Sequence, residues 1–350
     1  MSRSPSRSST APNRASSTAR WTPSPAMSGG DAGGAGPGGG EFAEIARLYR
    51  PLTRGAPEAL ALLDDAAVLP SRPGFDLVLT ADALVEGVHF LPDDPLDSVA
   101  RKLLRVNLSD LAAKGAEPYG YLLTTAWSPR CGPAERAVFA RGLEMDGAAF
   151  DLVLLGGDTV STPGPLTLAA TLLGWVPAGA LVRRGGARAG DRLLVSGQIG
   201  KGWLGLAARQ GRLADPDGAF SDFYRLPQPR LALAPALRAH ASAAADVSDG
   251  LVADAGHLAK ASGLSLTLAL DAIPLHPAIV RADRLAAATG GDDYEVVCAA
   301  PPEAVAALID AARAAGVPLS EIGAFAEGEG VIVTDGGQTV DVQAAGWRHF

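Results

Sequence analysis

The chain has 350 residues, a net charge of −8 and only 5% aromatic residues, so it is long enough for two cores but acidic enough to argue against nucleic acid as its main partner. Its two cysteines, Cys131 and Cys298, form no CxxC pair, which argues against a zinc site or a disulfide framework and points to a reducing, cytoplasmic setting. No uninterrupted apolar run is long enough to span a bilayer, so no membrane partner is expected.

Residues 1–40 are rich in Ser, Thr, Pro, Ala and then Gly, without apolar periodicity, and read as a disordered tail. Their Arg/Ser-rich, acid-poor character also fits a transit peptide or a non-native extension ahead of Met27. Helical spacing follows at Glu41–Tyr49, then a short apolar segment ending at Leu63-Asp64-Asp65. Asp76–Thr80 is a strand candidate running into Ala81-Asp82, and Glu86-Gly87-Val88-His89-Phe90 comes next.

Val106–Ala116 (V-N-L-S-D-L-A-A-K-G-A) predicts a helix with Asn107, Asp110 and Lys114 on one stripe and Leu104, Leu108 and Leu111 on the neighbouring face. That stripe is either a solvated face or a rigid mount for a metal ligand. Strand candidates at Tyr119–Trp127 and Asp151–Leu155 flank a predicted helix at Pro133–Gly147, and the second strand ends in Gly156-Gly157-Asp158-Thr159. Leu166–Val176 is again strand-like.

The Gly/Arg-rich stretch 177–190 marks a junction, giving a tail (1–40), an N-terminal domain (41–178) and a C-terminal domain (179–350). The second unit predicts a strand at Arg192–Ser196, a helix near Trp203–Gln210, a loop at 214–229 and a helix at Leu251–Ala261 after Ala244–Gly250. Gly290–Glu295 opens a strand, Glu303–Ala315 is a helix, and Asp335-Gly336-Gly337 turns between two closing strands. The order of elements favours a layered α/β or α+β arrangement.

An aspartate recurs where an apolar segment gives way to a loop or glycine: Asp65, Asp82, Asp158, Asp246 and Asp249, with Asp110 added from a helix. Singly, each suits a helix cap or a turn. Together, six hard oxygen donors are what Mg²⁺ requires, and Mg²⁺ commonly bridges substrate phosphates. The chain has no Walker phosphate loop, H-R-D loop, G-x-S-x-G turn or H-E-x-x-H motif, so a nucleotide would have to be gripped through metals and backbone.

With these runs in hand, the chain resembles the thiamine-monophosphate kinase family, within the ATP-binding superfamily that includes aminoimidazole-ribonucleotide synthetase. The resemblance covers about residues 41–350 and rests on Asp82–Phe90, Val106–Ala116, Gly156–Thr159, Asp246–Leu251, Gly290–Glu295 and Gly346–Phe350. It implies an N-terminal α/β domain that forms a homodimer, a C-terminal α+β domain, and ATP with several Mg²⁺ between them. It implies metal ligation by Asp65, Thr80, Asp82, Asp110, Asp158, Asp246 and Asp249, with Asp110 and Asp249 central to catalysis. ATP contacts fall to Gly157, Asp158, Arg184 and Ser248, and thiamine-monophosphate contacts to His89, Asp292 and Trp347.

Four positions depart from the family pattern: Leu63 replaces a glycine, Ala81 a hydroxyl residue, Asp292 a glutamate, and Lys201 stands where an acid is common. No carboxylate of the cluster is lost. The implied reaction is direct in-line transfer from ATP to thiamine monophosphate, the last step toward thiamine diphosphate. The alternatives are another superfamily enzyme of the aminoimidazole-ribonucleotide synthetase type and a non-catalytic nucleotide or thiamine-phosphate sensor; His89 could also be a satisfied core or turn histidine, Trp347 a domain-closing indole and Arg184 a solvated linker charge.

Overall fold

The computed structural model describes residues 40–347. Residues 1–39 of the expected tail, and Arg348, His349 and Phe350 of the closing motif, lie outside the described residues. A helical lead-in comes first: α1 (Glu41–Glu44), a π-helical turn at Ile45–Tyr49, and two 3₁₀ turns, Arg50–Thr53 and Pro57–Leu62, each with proline in its first positions.

The first sheet contains β1 (Phe75–Val85), β2 (Glu117–Trp127), β3 (Val153–Ser161) and β4 (Thr167–Pro177), in the order β1-β4-β2-β3. Between the strands in sequence run α2 (Leu96–Ala113) and α3 (Pro133–Ala149). The β2–β3 pair is parallel, which requires a crossover, and α3 supplies it. Leu104, Leu108 and Leu111 of α2 are fully buried, as the predicted apolar face requires, and Leu103 is buried with them. On the opposite face of the sheet Leu77, Leu79, Leu122 and Val160 are exposed.

Two expectations need correction here. Strand β1 does not yield to a loop at Asp82, because its pairing with β4 continues to Val85. Nor does β3 end at the Gly156–Thr159 run, which is itself strand, paired with Leu122–Thr125 of β2. A neighbouring strand overrides the local turn signal of glycine and aspartate.

The second sheet has the order β11-β10-β7-β9-β5-β8-β6. Its strands are β5 (Arg192–Ser196), β6 (Ala243–Asp246), β7 (Leu264–Ala269), β8 (Val296–Ala300), β9 (Leu319–Glu327), β10 (Gly330–Asp335) and β11 (Gln338–Val340). Its helices are α4 (Lys201–Arg209), α5 (Ala219–Arg225), α6 (Ala234–His240), α7 (Leu251–Ser262), α8 (Arg284–Ala288) and α9 (Pro302–Ala314). The mixture is α/β and α+β, as read from the sequence.

Three local readings change. The stretch 214–229 is not wholly loop, because Asp215 accepts the N–H groups of Phe220 (3.0 Å) and Ser221 (2.8 Å) and fixes the start of α5. Lys201 opens α4, behind Gly200 at φ 88°. Strand β8 begins only at Val296, because residues 291–295 are tied to the neighbouring loop and Asp292 and Tyr294 adopt positive φ (60° and 50°).

The halves meet along α2. Arg105 donates from Nη1 to the Pro227 carbonyl (3.0 Å) while its Nε and Nη2 hold Asp146 of α3 (2.5 and 3.1 Å). Among the described residues, no helix is long and apolar enough to cross a membrane.

Candidate active site

Carboxylates from both halves converge beside α2. Thr80 and Asp82 are two residues apart on β1 and so share its helix-facing side, where the Thr80 hydroxyl donates to the Asp110 carboxylate. Asp246, at the end of β6, enters from the second sheet. Burial, reinforced by the Asp110 charge, pushes the Asp82 carboxyl up to about 6. Burial also raises Asp246 well above the usual carboxylate range; Asp110, Asp254 and Asp82 add to this and the Ser109 hydroxyl opposes it.

The third member of the predicted stripe, Lys114, donates to the Ala244 carbonyl at 2.6 Å. Burial and then Arg184 push its ammonium down to about 8, while Asp246 and Asp110 pull the other way. Exposed Arg184 is thereby placed electrostatically next to this group. Asn107 does not share the polar site; it is fully buried and its amide returns to the Leu103 carbonyl at 2.9 Å.

Past Asp246 the chain forms a tight loop. The N–H groups of Ser248, Asp249 and Gly250 all donate to one oxygen of Asp254 (3.0, 3.1 and 3.2 Å), which sits in the first turn of α7. Gly250 adopts φ 129°, which its missing side chain permits. Segment 291–295 runs alongside, with Asp292 N–H on the Ser248 carbonyl and Tyr294 N–H on the Val247 carbonyl, both 2.8 Å. The Trp347 N–H reaches the Asp249 carbonyl at 2.9 Å, bringing three predicted contacts, Asp249, Asp292 and Trp347, to one loop pair.

Asp249, Asp254 and His257 also place ligand atoms within 4.8 Å of one another. Asp254 is engaged by three backbone donors, so it acts first as the clamp of this loop. Neither Asp254 nor His257 was singled out from the sequence; an acid and a histidine three residues apart, one turn after Asp-Gly, was the available signal.

His89 lies just after β1, and the Val85 N–H donates to its Nδ1 at 3.0 Å, so a neutral ring carries its proton on Nε2. Lys102 of α2, also unremarked in the sequence, joins His89 to Asp292. Its ammonium donates to the His89 carbonyl (3.0 Å), pairs with Asp292 Oδ1 (3.3 Å) and stands over the Tyr224 ring (3.6 Å). Burial lowers the Lys102 pKa, with Asp292 and Asp94 opposing.

Asp65 and Asp158 are not brought to the Asp82 cluster. Asp82, Ala170, Leu123 and Gly157 occupy one row across the sheet, so three strand spacings, roughly 14 Å, separate the ends. Asp65, Gly157 and Asp158 instead line a cavity of about 710 Å³ with apolar walls that include Phe42, Ile45 and Leu62. Gly157 cannot be replaced there, since a Cβ would lie 1.8 Å from the Leu123 carbonyl oxygen. Asp65 follows three consecutive non-glycine residues with positive φ, Leu60 (47°), Ala61 (55°) and Leu62 (52°).

Residues 63–176 match the family model for the AIR synthase related protein, N-terminal domain, and residues 188–336 the corresponding C-terminal domain. The chain is 58% identical over 318 residues to the thiamine-monophosphate kinase of Caulobacter vibrioides, covering 88% of this chain and 90% of that one. It resembles the crystal structure of thiamine-monophosphate kinase from Stenotrophomonas maltophilia with a TM-score of 0.76 and 37% identity, over 86% of this chain and 98% of the other. AaThiL complexed with AMPPCP and TMP gives a TM-score of 0.70 and 28% identity, over 89% and 97%.

Proposed function

The chain belongs to the thiamine-monophosphate kinase family, and from that premise we propose how its residues carry out the ATP-dependent phosphorylation of thiamine monophosphate to thiamine diphosphate. The observation that carries the reading is the meeting of Asp82, Asp110 and Asp246, from both halves of the molecule, with Asp110 accepting the Thr80 hydroxyl.

These residues fit magnesium. They are hard oxygen donors, and their mutual repulsion in a half-buried setting is what a divalent cation relieves. Thr80, Asp82, Asp110 and Asp246 would hold one ion, Asp249 would serve the adjoining loop, and Asp65 with Asp158 would serve the separate cavity. When bound, magnesium supplies charge neutralisation for the triphosphate and the transferring group.

The protein's own part is positioning. The attacking atom is a phosphate oxygen whose second pKa is about 6, so it is ionised at neutral pH and needs no general base. The difficulty is bringing two polyanions into line. Arg184 adds positive charge beside Lys114, Ser248 offers a hydroxyl from the clamped loop, and Gly157 would meet ATP from the separate cavity. His89 presents an Nε2 proton, Asp292 a carboxylate and Trp347 an indole suited to stacking on an aromatic ring of the acceptor. Transfer is direct, without a phosphoenzyme.

We also propose that the chain works as a homodimer through the apolar face of the first sheet, where Leu79 is 59% and Val160 48% exposed.

ADP release with purified protein tests the function. It is expected to require thiamine monophosphate and magnesium together, and Asp110→Asn or Asp249→Asn should lower turnover by about a hundredfold or more while the fold is kept. ADP release independent of thiamine monophosphate, or near-normal turnover in both folded variants, overturns this reading.

A further inference from the structure

We propose that Lys102 and Tyr224 are positioning residues that lock His89 and Asp292 into a single acceptor site for thiamine monophosphate, an inference that rests on reading those two residues as acceptor contacts. His89 belongs to the first half of the chain and Asp292 to the second, so their relative placement is a tertiary problem. Lys102 is only 2% exposed. A buried ammonium is costly unless every neighbour favours it. Here its neighbours are the His89 carbonyl at 3.0 Å, Asp292 Oδ1 at 3.3 Å and the Tyr224 ring face at 3.6 Å.

Tyr224, from α5, closes the arrangement. Its hydroxyl donates to the same His89 carbonyl at 3.0 Å, so that oxygen receives two donors, one from each half. The adjacent α5 residue, Arg225, grips Asp94 at 2.7 Å, and Arg209 of α4 joins it at 3.1 Å. The segment carrying His89 is therefore pinned at two points to α5. Asp292 needs such support, since it adopts φ 60°, a conformation that persists in a non-glycine residue only when its surroundings over-determine it.

A plain strut between the halves would disturb ATP and acceptor binding alike. A positioning role is selective. Lys102→Met keeps volume and removes charge; it is expected to raise KM for thiamine monophosphate about tenfold while KM for ATP stays within about twofold. Tyr224→Phe should show the same selectivity with a smaller increase, and it decides the matter if Lys102→Met does not fold. Because Lys102 acts on Asp292 as well as on His89, the double variant Lys102→Met/Asp292→Asn should raise KM by clearly less than the product of the two single changes.

Equal rises in both KM values, an unchanged acceptor KM, or multiplicative effects in the double variant overturn the proposal. His89→Ala and Asp292→Asn are run in parallel. If they leave the acceptor KM unchanged, the underlying site reading fails; if they raise it and neither Lys102→Met nor Tyr224→Phe does, only the positioning role fails.

Discussion

Asp293 shows how much one side chain can carry. It accepts the N–H of Gly200 at 3.0 and 2.9 Å and that of Gly202 at 3.0 Å, capping α4. Burial nevertheless pushes its carboxyl up to about 7, against those donors, with Glu295 and Asp292 adding to the rise. Asp254 is pushed to about 7 as well, by burial and then by Asp249. Unfolded, both titrate near 3.9, roughly. These two groups thus bind more protons in the folded state between those values, and the stability they contribute declines as pH rises from about 4 to about 7. Melting temperatures should fall across that interval, and less steeply in Asp293→Asn, which keeps an acceptor for the glycine N–H groups. A pH series of thermal melts checks this; identical slopes would remove Asp293 from the explanation. The sequence displayed the aspartates as residue types but not their neighbours. Lys102 was hidden altogether, because a lysine in an Arg101-Lys102-Leu103-Leu104-Arg105 run looks like one more surface cation until the opposite domain is in place.

Helices α2 and α3 make the clearest case at the level of elements. Gly142 lets them touch: a Cβ there would lie 2.2 Å from the Asp97 carbonyl oxygen and 2.8 Å from the Ala100 methyl. Backbone blocks the added atom, so Gly142→Ala should cost about 2–3 kcal/mol, read as a lower denaturation midpoint with an unchanged m-value. A neutral result would mean that the helices separate freely. Periodicity announced both helices, although α2 begins at Leu96, ten residues before the run read as helix, and ends at Ala113; the strand at Arg192–Ser196 was read to the residue. What periodicity could not announce was pairing. The Gly156–Thr159 run looks like a turn and is strand because β2 lies beside it, while α5 exists because Asp215 reaches forward to cap it.

At the scale of the molecule, the apolar sheet face carries the prediction. Leu77, Leu79, Leu122 and Val160 present exposed apolar surface, of which Leu122 and Val160 also line cavities against the helical lead-in. If a second copy covers it, Leu79→Asp should shift the sedimentation coefficient from dimer to monomer and lower the melting temperature in a concentration-dependent way. A monomeric wild type would sink the proposal. The family motifs foretold two halves of different architecture. They did not foretell that α2 would serve as the shared wall, with Asp110 and Lys114 turned to one site and Lys102 to the other.

Leu60, Ala61 and Leu62 hold positive φ one after another just ahead of Asp64 and Asp65. Each L-residue there forfeits about 1 kcal/mol relative to glycine. Glycine, which adopts positive φ without that penalty, would relieve the strain, and Ala61→Gly is expected to raise the melting temperature slightly, as a thermal scan would record. A single replacement at that bend is therefore a ready route to heat tolerance, open to the protein without any change to its chemistry.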